Sequence, residues 1–165
     1  MKVQDVMTYE VQTCRPETNL ADAAMRMWRG DCGILPVVTD GQKVVGVITD
    51  RDICMAAATK RRDLTQIRVK EVISGKVYGC SSDSDIHEAL KIMQQKQVRR
   101  LPIISAEDGR LEGILSMNDV ALKAEGGRDA QLSAQDVETT LRGICAHREL
   151  PLARPMQQSV AQSAA

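Results

Sequence analysis

The chain has 165 residues, 43% of them hydrophobic, with 22 basic side chains balanced by 22 acidic ones. That balance leaves no net positive field to gather a polyanion. With 2% aromatic residues and no phenylalanine, the core must be aliphatic, and the stacking platforms of single-stranded nucleic-acid binders are absent. Nucleic acid is therefore not an expected partner.

From the N-terminus, Met1-Lys2-Val3-Gln4-Asp5 lacks the apolar core of a secretion signal. No later run approaches the length of a membrane span. The expected setting is the cytoplasm, with no membrane partner. A short lead, Val3 to Met7, is followed by a brief strand predicted over 10–14. Thr18 or Asn19 starts a helix whose apolar positions Leu20, Ala23, Ala24 and Met27 keep helical spacing. Gly30 and Gly33 bracket its end. A strand is predicted over 35–38, with Pro36 near its start, then a turn at Asp40-Gly41 and a third strand over 44–48. A second helix runs from 51 to about 59.

The unit is thus β-α-β-β-α, and the chain repeats it. The shift that carries Val3-Gln4-Asp5-Val6-Met7 onto Val69-Lys70-Glu71-Val72-Ile73 also carries Cys14 onto Cys80, Leu20 onto Ile86 and Met27 onto Met93. It places Leu35-Pro36-Val37-Val38 on Leu101-Pro102-Ile103-Ile104. One extra residue near Glu107-Asp108-Gly109 then brings Gly46, Thr49 and Asp52 onto Gly113, Ser116 and Asp119. In the second copy the helix runs from about 84 to 97, strands cover 101–104 and 111–115, and a helix ends near 124. The expected division is repeat 1 over 1–62, repeat 2 over 63–124, and an extension over 125–165. Within the extension, Glu125-Gly126-Gly127-Arg128 breaks the helix. A capping box at Ser133–Asp136 opens an amphipathic helix to about 147, marked by Val137, Leu141, Ile144 and Cys145, and a flexible tail follows.

The chemistry concentrates after the third strand of each copy. Gly46-Val47-Ile48-Thr49-Asp50-Arg51-Asp52 and Gly113-Ile114-Leu115-Ser116-Met117-Asn118-Asp119 share Gly-x-x-[Thr/Ser]-x-x-Asp. A strand feeding a helix N-terminus offers unpaired N–H groups to a phosphate, and a carboxylate one turn in can accept hydrogen bonds from a ribose diol. A plainer reading makes Thr49 and Ser116 helix caps and Asp52 and Asp119 dipole-stabilising acids. Arg99 and Arg100 are equally suited to surface ion pairs or to phosphate.

The tandem unit with these motifs, together with Val6-Met7, Leu35-Pro36-Val37 and Val98-Arg99-Arg100-Leu101-Pro102-Ile103, resembles the cystathionine β-synthase (CBS) domain family. Two such repeats form a pseudo-two-fold module, an α/β (α+β) fold often called a Bateman module. The resemblance implies a non-enzymatic regulatory module without a required cofactor. It implies an adenosine-containing regulatory ligand, AMP, ADP, ATP or S-adenosylmethionine, in clefts between the repeats. Carried over, Asp52 and Asp119 hold ribose hydroxyls, and Thr49 and Ser116 contact phosphate or nearby oxygens. The Leu35-Pro36 and Leu101-Pro102 segments flank adenine. The resemblance further implies a homodimer and a regulated protein partner. Arg51 marks the first copy, and Asp50 adds a negative charge near the first cleft. Arg99 and Arg100 mark the second cleft as the better place for a phosphorylated ligand. The alternative is a dimerisation or docking protein with vestigial clefts. A cysteine-based redox enzyme is a weaker third reading, because none of Cys14, Cys32, Cys54, Cys80 and Cys145 has an acid–base partner nearby in sequence. His87 and His147 are isolated and suggest no metal site.

Overall fold

The computed structural model describes residues 1–73, 75–125 and 130–146. The proposed helix break at Gly126–Arg128, His147 and the tail lie outside the described residues. Repeat 1 contains α1 (Leu20–Arg29), β1 (Ile34–Val38), β2 (Val44–Thr49) and α2 (Asp50–Thr59). Repeat 2 contains α3 (Ile86–Lys96), β3 (Arg100–Ile104), β4 (Leu111–Ser116) and α4 (Met117–Lys123), and α5 (Ala134–Cys145) follows.

Local chemistry accounts for the element ends. Asn19 caps α1, its side chain accepting the Asp22 N–H at 2.8 Å. Thr49 and Ser116 end their strands in extended backbone and cap α2 and α4. The strands form two antiparallel hairpins, β1–β2 and β3–β4, in matching register. Ile34 faces Thr49 and Arg100 faces Ser116, and each hairpin shifts register at an equivalent place, Val37/Val38 and Ile103/Ile104. The hairpin ends also meet, Val44 N–H donating to the Gly109 carbonyl and Leu111 N–H to that of Gln42.

The first strand of each predicted unit is shorter than expected. Over 10–14, only Cys14 bridges, in parallel fashion, to Val37; Cys80 does the same with Ile103. Cys14 exchanges bonds with the β1 backbone, its N–H donating to Pro36 O at 3.1 Å and its carbonyl accepting from Val38 N–H at 2.9 Å. Each cysteine is a one-residue third strand. Burial pushes both thiols up to about 11.

The two cores do not follow chain order. Leu20, Ala23, Leu35, Ile48 and Ile53 of repeat 1 pack with Ile67 and Val69, which lie beyond its last helix. Ile86, Met93, Leu101, Leu115 and Val120 of repeat 2 pack with Val3, Val6 and Met7 from the start of the chain. Each lead segment thus completes the other repeat's core. Val3 and Val69 are both fully buried, each worth about 1.5–3 kcal/mol of transfer free energy. Backbone bonds follow the exchange: Val3 N–H donates to Ser84 O, Ile86 N–H to Met1 O, Val69 N–H to Thr18 O and Leu20 N–H to Ile67 O.

The exchange also explains the motif glycine of repeat 2. Thr8 and Ile114 donate backbone N–H groups to each other's carbonyls at 2.9 Å. A Cβ at Gly113 would stand 2.8 Å from the Thr8 carbonyl oxygen and 3.0 Å from Met7 Sδ.

Helix α5 packs on α3 and α4. Its Thr140, fully buried, accepts a hydrogen bond from Gln94 Nε2 at 3.2 Å. The position in repeat 1 equivalent to Gln94 is Trp28, which is 83% exposed.

Candidate functional site

Both motifs form the same closed cap. Thr49 Oγ1 accepts the Asp52 N–H at 3.2 Å and donates to Asp52 Oδ2 at 2.7 Å, while Thr49 N–H donates to the same carboxylate oxygen at 2.9 Å. Ser116 and Asp119 repeat this with distances of 3.2, 2.6 and 2.8 Å. The plain capping role is therefore present in both copies. Thr49 of the first cap and both Ser116 and Asp119 of the second line clefts between the repeats.

The first cleft, here cleft A, has a volume of about 510 Å³. Repeat 1 gives it Thr49, Asp50 and Arg51 at the start of α2; repeat 2 gives it Lys76, Arg99 and Arg100. Apolar surface comes from Ile34, Val47, Tyr78, Val98, Pro102 and Ile144. Four cationic side chains thus face one carboxylate at a helix N-terminus, the arrangement that favours an anion. Gly33 makes room for that carboxylate, since a Cβ there would meet Asp50 Oδ2 at 3.0 Å.

The second cleft, cleft B, is smaller, about 270 Å³. Ser116, Asn118 and Asp119 line one side, Thr8, Glu10 and Asp31 another, with Arg100 as the cation. Thr8 Oγ1 donates to Asp119 Oδ1 at 3.2 Å. Three carboxylates against one guanidinium give it the opposite sign.

The asymmetry arises position by position. Under the repeat shift Lys76 stands where cleft B has Glu10, Arg51 where it has Asn118, and Gln97 where it has Asp31. Asp31 and Gln97 also share a left-handed backbone, with φ of 46° and 52°, a conformation uncommon for residues other than glycine.

The family-model comparison matches a CBS domain over residues 3–59 and again over 69–126. The chain belongs to the CBS-domain family. The CBS domain-containing protein YhcV of Bacillus subtilis is 34% identical over 128 residues, covering 78% of this chain and 89% of that protein. Hypoxic response protein 1 of Mycobacterium tuberculosis is 32% identical over 118 residues, covering 72% of this chain and 81% of that protein. A crystal structure of hypoxic response protein I with two coordinated zinc ions superposes with a TM-score of 0.69 at 30% identity, covering 76% of this chain and all of that one. A crystal structure of CBSX2 in complex with AMP superposes with a TM-score of 0.65 at 25% identity, covering 73% of this chain and 93% of that one. Among the described residues, no group of three or more His, Cys, Asp or Glu side chains is placed to hold a metal ion. No helix among the described residues is long and apolar enough to cross a membrane.

Against this CBS pair, the sequence-picked residues fall in three places. Thr49, Arg51, Arg99, Arg100 and Pro102 meet in cleft A, and Ser116, Asp119 and again Arg100 meet in cleft B. Leu35 and Leu101 are fully buried core side chains and line neither cleft, and Pro36 and Asp52 are also outside both linings. One expectation is corrected. Arg99 does not accompany the second motif; it joins Arg51 in the cleft of the first, because the lining of cleft A combines the start of α2 with the segment leading into β3. The basic cleft is therefore the first motif's. Arg100 reaches both clefts, as does its repeat equivalent Ile34. Sequence reasoning missed Lys76, Glu10, Thr8 and Asp31 as lining residues. The repeat shift carries the needed signal for Lys76, a charge reversal at the position of Glu10. For Ile144 no sequence signal exists, because it arrives on α5.

Proposed function

We propose that this CBS pair is a non-enzymatic regulatory module whose cleft A binds a phosphorylated adenosine ligand of the AMP, ADP or ATP class. The observation that carries the reading is the charge of cleft A, where Arg51, Lys76, Arg99 and Arg100 surround the N-terminus of α2. The AMP complex of CBSX2 supports the ligand class. Phosphate pairs with the guanidinium groups, for which bidentate geometry is available. Ribose and base lie against Val47, Val98 and Tyr78. Cleft B, with Glu10, Asp31 and Asp119, suits an uncharged or cationic adenosine derivative such as S-adenosylmethionine, and Asp119 is its ribose acceptor. Binding bridges the repeats and shifts a conformational equilibrium, read by a protein partner in the cytoplasm.

The module acts as a homodimer in this reading. Exposed Met25, Trp28 and Met55 on α1 and α2 support a contact through repeat 1, since exposed apolar clusters mark interaction surfaces. In repeat 2, α5 packs on the equivalent helices and buries Thr140 against α3, while Leu122 on α4 stays exposed.

Calorimetry with AMP, ATP, adenosine and S-adenosylmethionine tests the assignment. AMP and ATP bind with an affinity that falls on Arg99→Ala and with added salt. Asp119→Ala affects S-adenosylmethionine alone. Absence of nucleotide binding at millimolar concentration, with a normally folded protein, would leave the docking-protein alternative.

A further inference from the structure

Helix α5 lies beyond the residues matched by the CBS model, yet its end reaches cleft A. Ile144, 8% exposed, is part of the cleft lining. The next two residues hold the same wall. Arg99 Nη2 approaches Cys145 Sγ at 3.9 Å, and Gln97 Nε2 donates to the Ala146 carbonyl at 2.7 Å. Gln97, Arg99 and Ile144 all line the cleft. The contacts that dock the end of α5 are thus made by the residues that face the ligand space.

No residue of α5 lines cleft B. The extension therefore marks one cleft of the pair and not the other. Its apolar side chain, Ile144, joins those of Val98 and Pro102 in the lining, surface suited to the uncharged part of a nucleotide.

We infer that α5 is a ligand-linked wall of cleft A, with Ile144 contacting the nucleoside and nucleotide binding and α5 docking stabilising each other. This rests on the nucleotide reading of cleft A. A ligand that touches Ile144 gains that contact only while α5 is docked, so it binds the docked state more tightly. Linkage then requires that occupancy strengthen docking by the same factor. The extension becomes a reporter of occupancy, and a partner that recognises docked or released α5 reads the ligand.

Two substitutions in the full chain bracket contact and docking. Ile144→Ser removes the apolar contact inside the cleft together with part of the packing that docks α5, since Ile144 also belongs to the repeat 2 core. Gly143→Leu acts from outside it, because a Cβ at Gly143 already meets Gln94 Cγ at 2.9 Å and Cβ at 3.0 Å. Calorimetry with AMP is expected to show Kd raised about tenfold by Ile144→Ser, the loss of one buried aliphatic contact, and several-fold by Gly143→Leu. Amide hydrogen exchange over 134–145 in the unaltered chain is expected to slow when AMP is added. Unchanged AMP affinity in both variants, or faster exchange in α5 on AMP binding, overturns the inference while leaving the nucleotide reading intact. Absence of AMP binding to the unaltered chain sinks the nucleotide reading and this inference with it.

Discussion

Replacing Gly113 by alanine tests the exchanged packing directly. The added methyl would stand 2.8 Å from the Thr8 carbonyl oxygen, a backbone atom with no rotamer to adopt. Either the lead segment moves away or the strand bends. Overpacking of this kind costs about 1–3 kcal/mol. Displacing the lead also threatens the two 2.9 Å bonds between Thr8 and Ile114, worth about 0.5–1.5 kcal/mol each. Alanine recovers about 0.5–1 kcal/mol of backbone entropy relative to glycine. The expected net loss is about 2–4 kcal/mol, a fall in Tm of roughly 5–15 °C for a chain of this size. Urea denaturation followed by circular dichroism measures it. Gly41→Ala is the control, because a Cβ there meets only Thr39 Oγ1 at 3.9 Å, and it should be neutral or slightly stabilising. Met7→Ala removes the sulfur at 3.0 Å but not the carbonyl and costs core packing of its own, so with Met7→Ala as the reference most of the Gly113→Ala loss should persist. A Gly113→Ala protein as stable as the parent, or one fully rescued by Met7→Ala, would refute the argument.

Other consequences can be measured separately. The double substitution Glu10→Lys with Asp31→Gln gives cleft B the residues that cleft A carries at equivalent positions, and calorimetry should then detect a second AMP site where the parent shows one. Asp136 is held below the usual carboxylate range, first by the Ser133 hydroxyl and then by the Ser133 N–H and His87. Because its folded pKa is depressed, its contribution is complete above the unfolded value of about 3.9 and lost as pH falls through the folded one; NMR signals of α5 should broaden or shift in that acid window, and α5 signals unchanged down to pH 2 would contradict the cap's role. Iodoacetamide at pH 8 with peptide mapping should label exposed Cys54 and Cys145 and spare buried Cys14 and half-buried Cys80, whose thiols desolvation raises to about 11. Trp28→Glu should shift sedimentation toward the monomer, and a parent chain that sediments as a monomer at high concentration would exclude the proposed pairing.

Much of this architecture is legible in the sequence because its signals are local. Helical spacing at Leu20, Ala23 and Met27, the Asp40-Gly41 turn and the caps at Thr49 and Ser116 each act within a few residues, and their recurrence exposes the repeat. The exchange of lead segments is not legible. Val3 and Val69 are the same residue in equivalent settings, so apolar patterning cannot say which core receives which. The same ambiguity misassigned Arg99, whose cleft is decided by how the repeats face each other rather than by the motif nearest in sequence. The resemblance sets the Leu35-Pro36 and Leu101-Pro102 segments beside adenine, but alternation along a short strand turns the Leu35 and Leu101 side chains into the cores. Ile144 was visible as part of an amphipathic helix, but periodicity identifies an apolar face without naming what that face covers.

The exchanged lead segments also bear on the order in which the protein can be made. Domains commonly fold as units from the N-terminus during synthesis, but here the core of repeat 1 needs chain from beyond its last helix and the core of repeat 2 needs a segment that precedes all of repeat 1. The core around Leu20 and Leu35 waits for Ile67 and Val69, which follow all of its own helices and strands. Val3, Val6 and Met7 precede both repeats in the chain, yet their seats among Leu115 and Val120 come much later. The apolar side chains of that segment find their core only once repeat 2 has been made. A cut between the repeats would leave each half without its final piece, so the two repeats form one interlocked folding unit rather than two beads on a string.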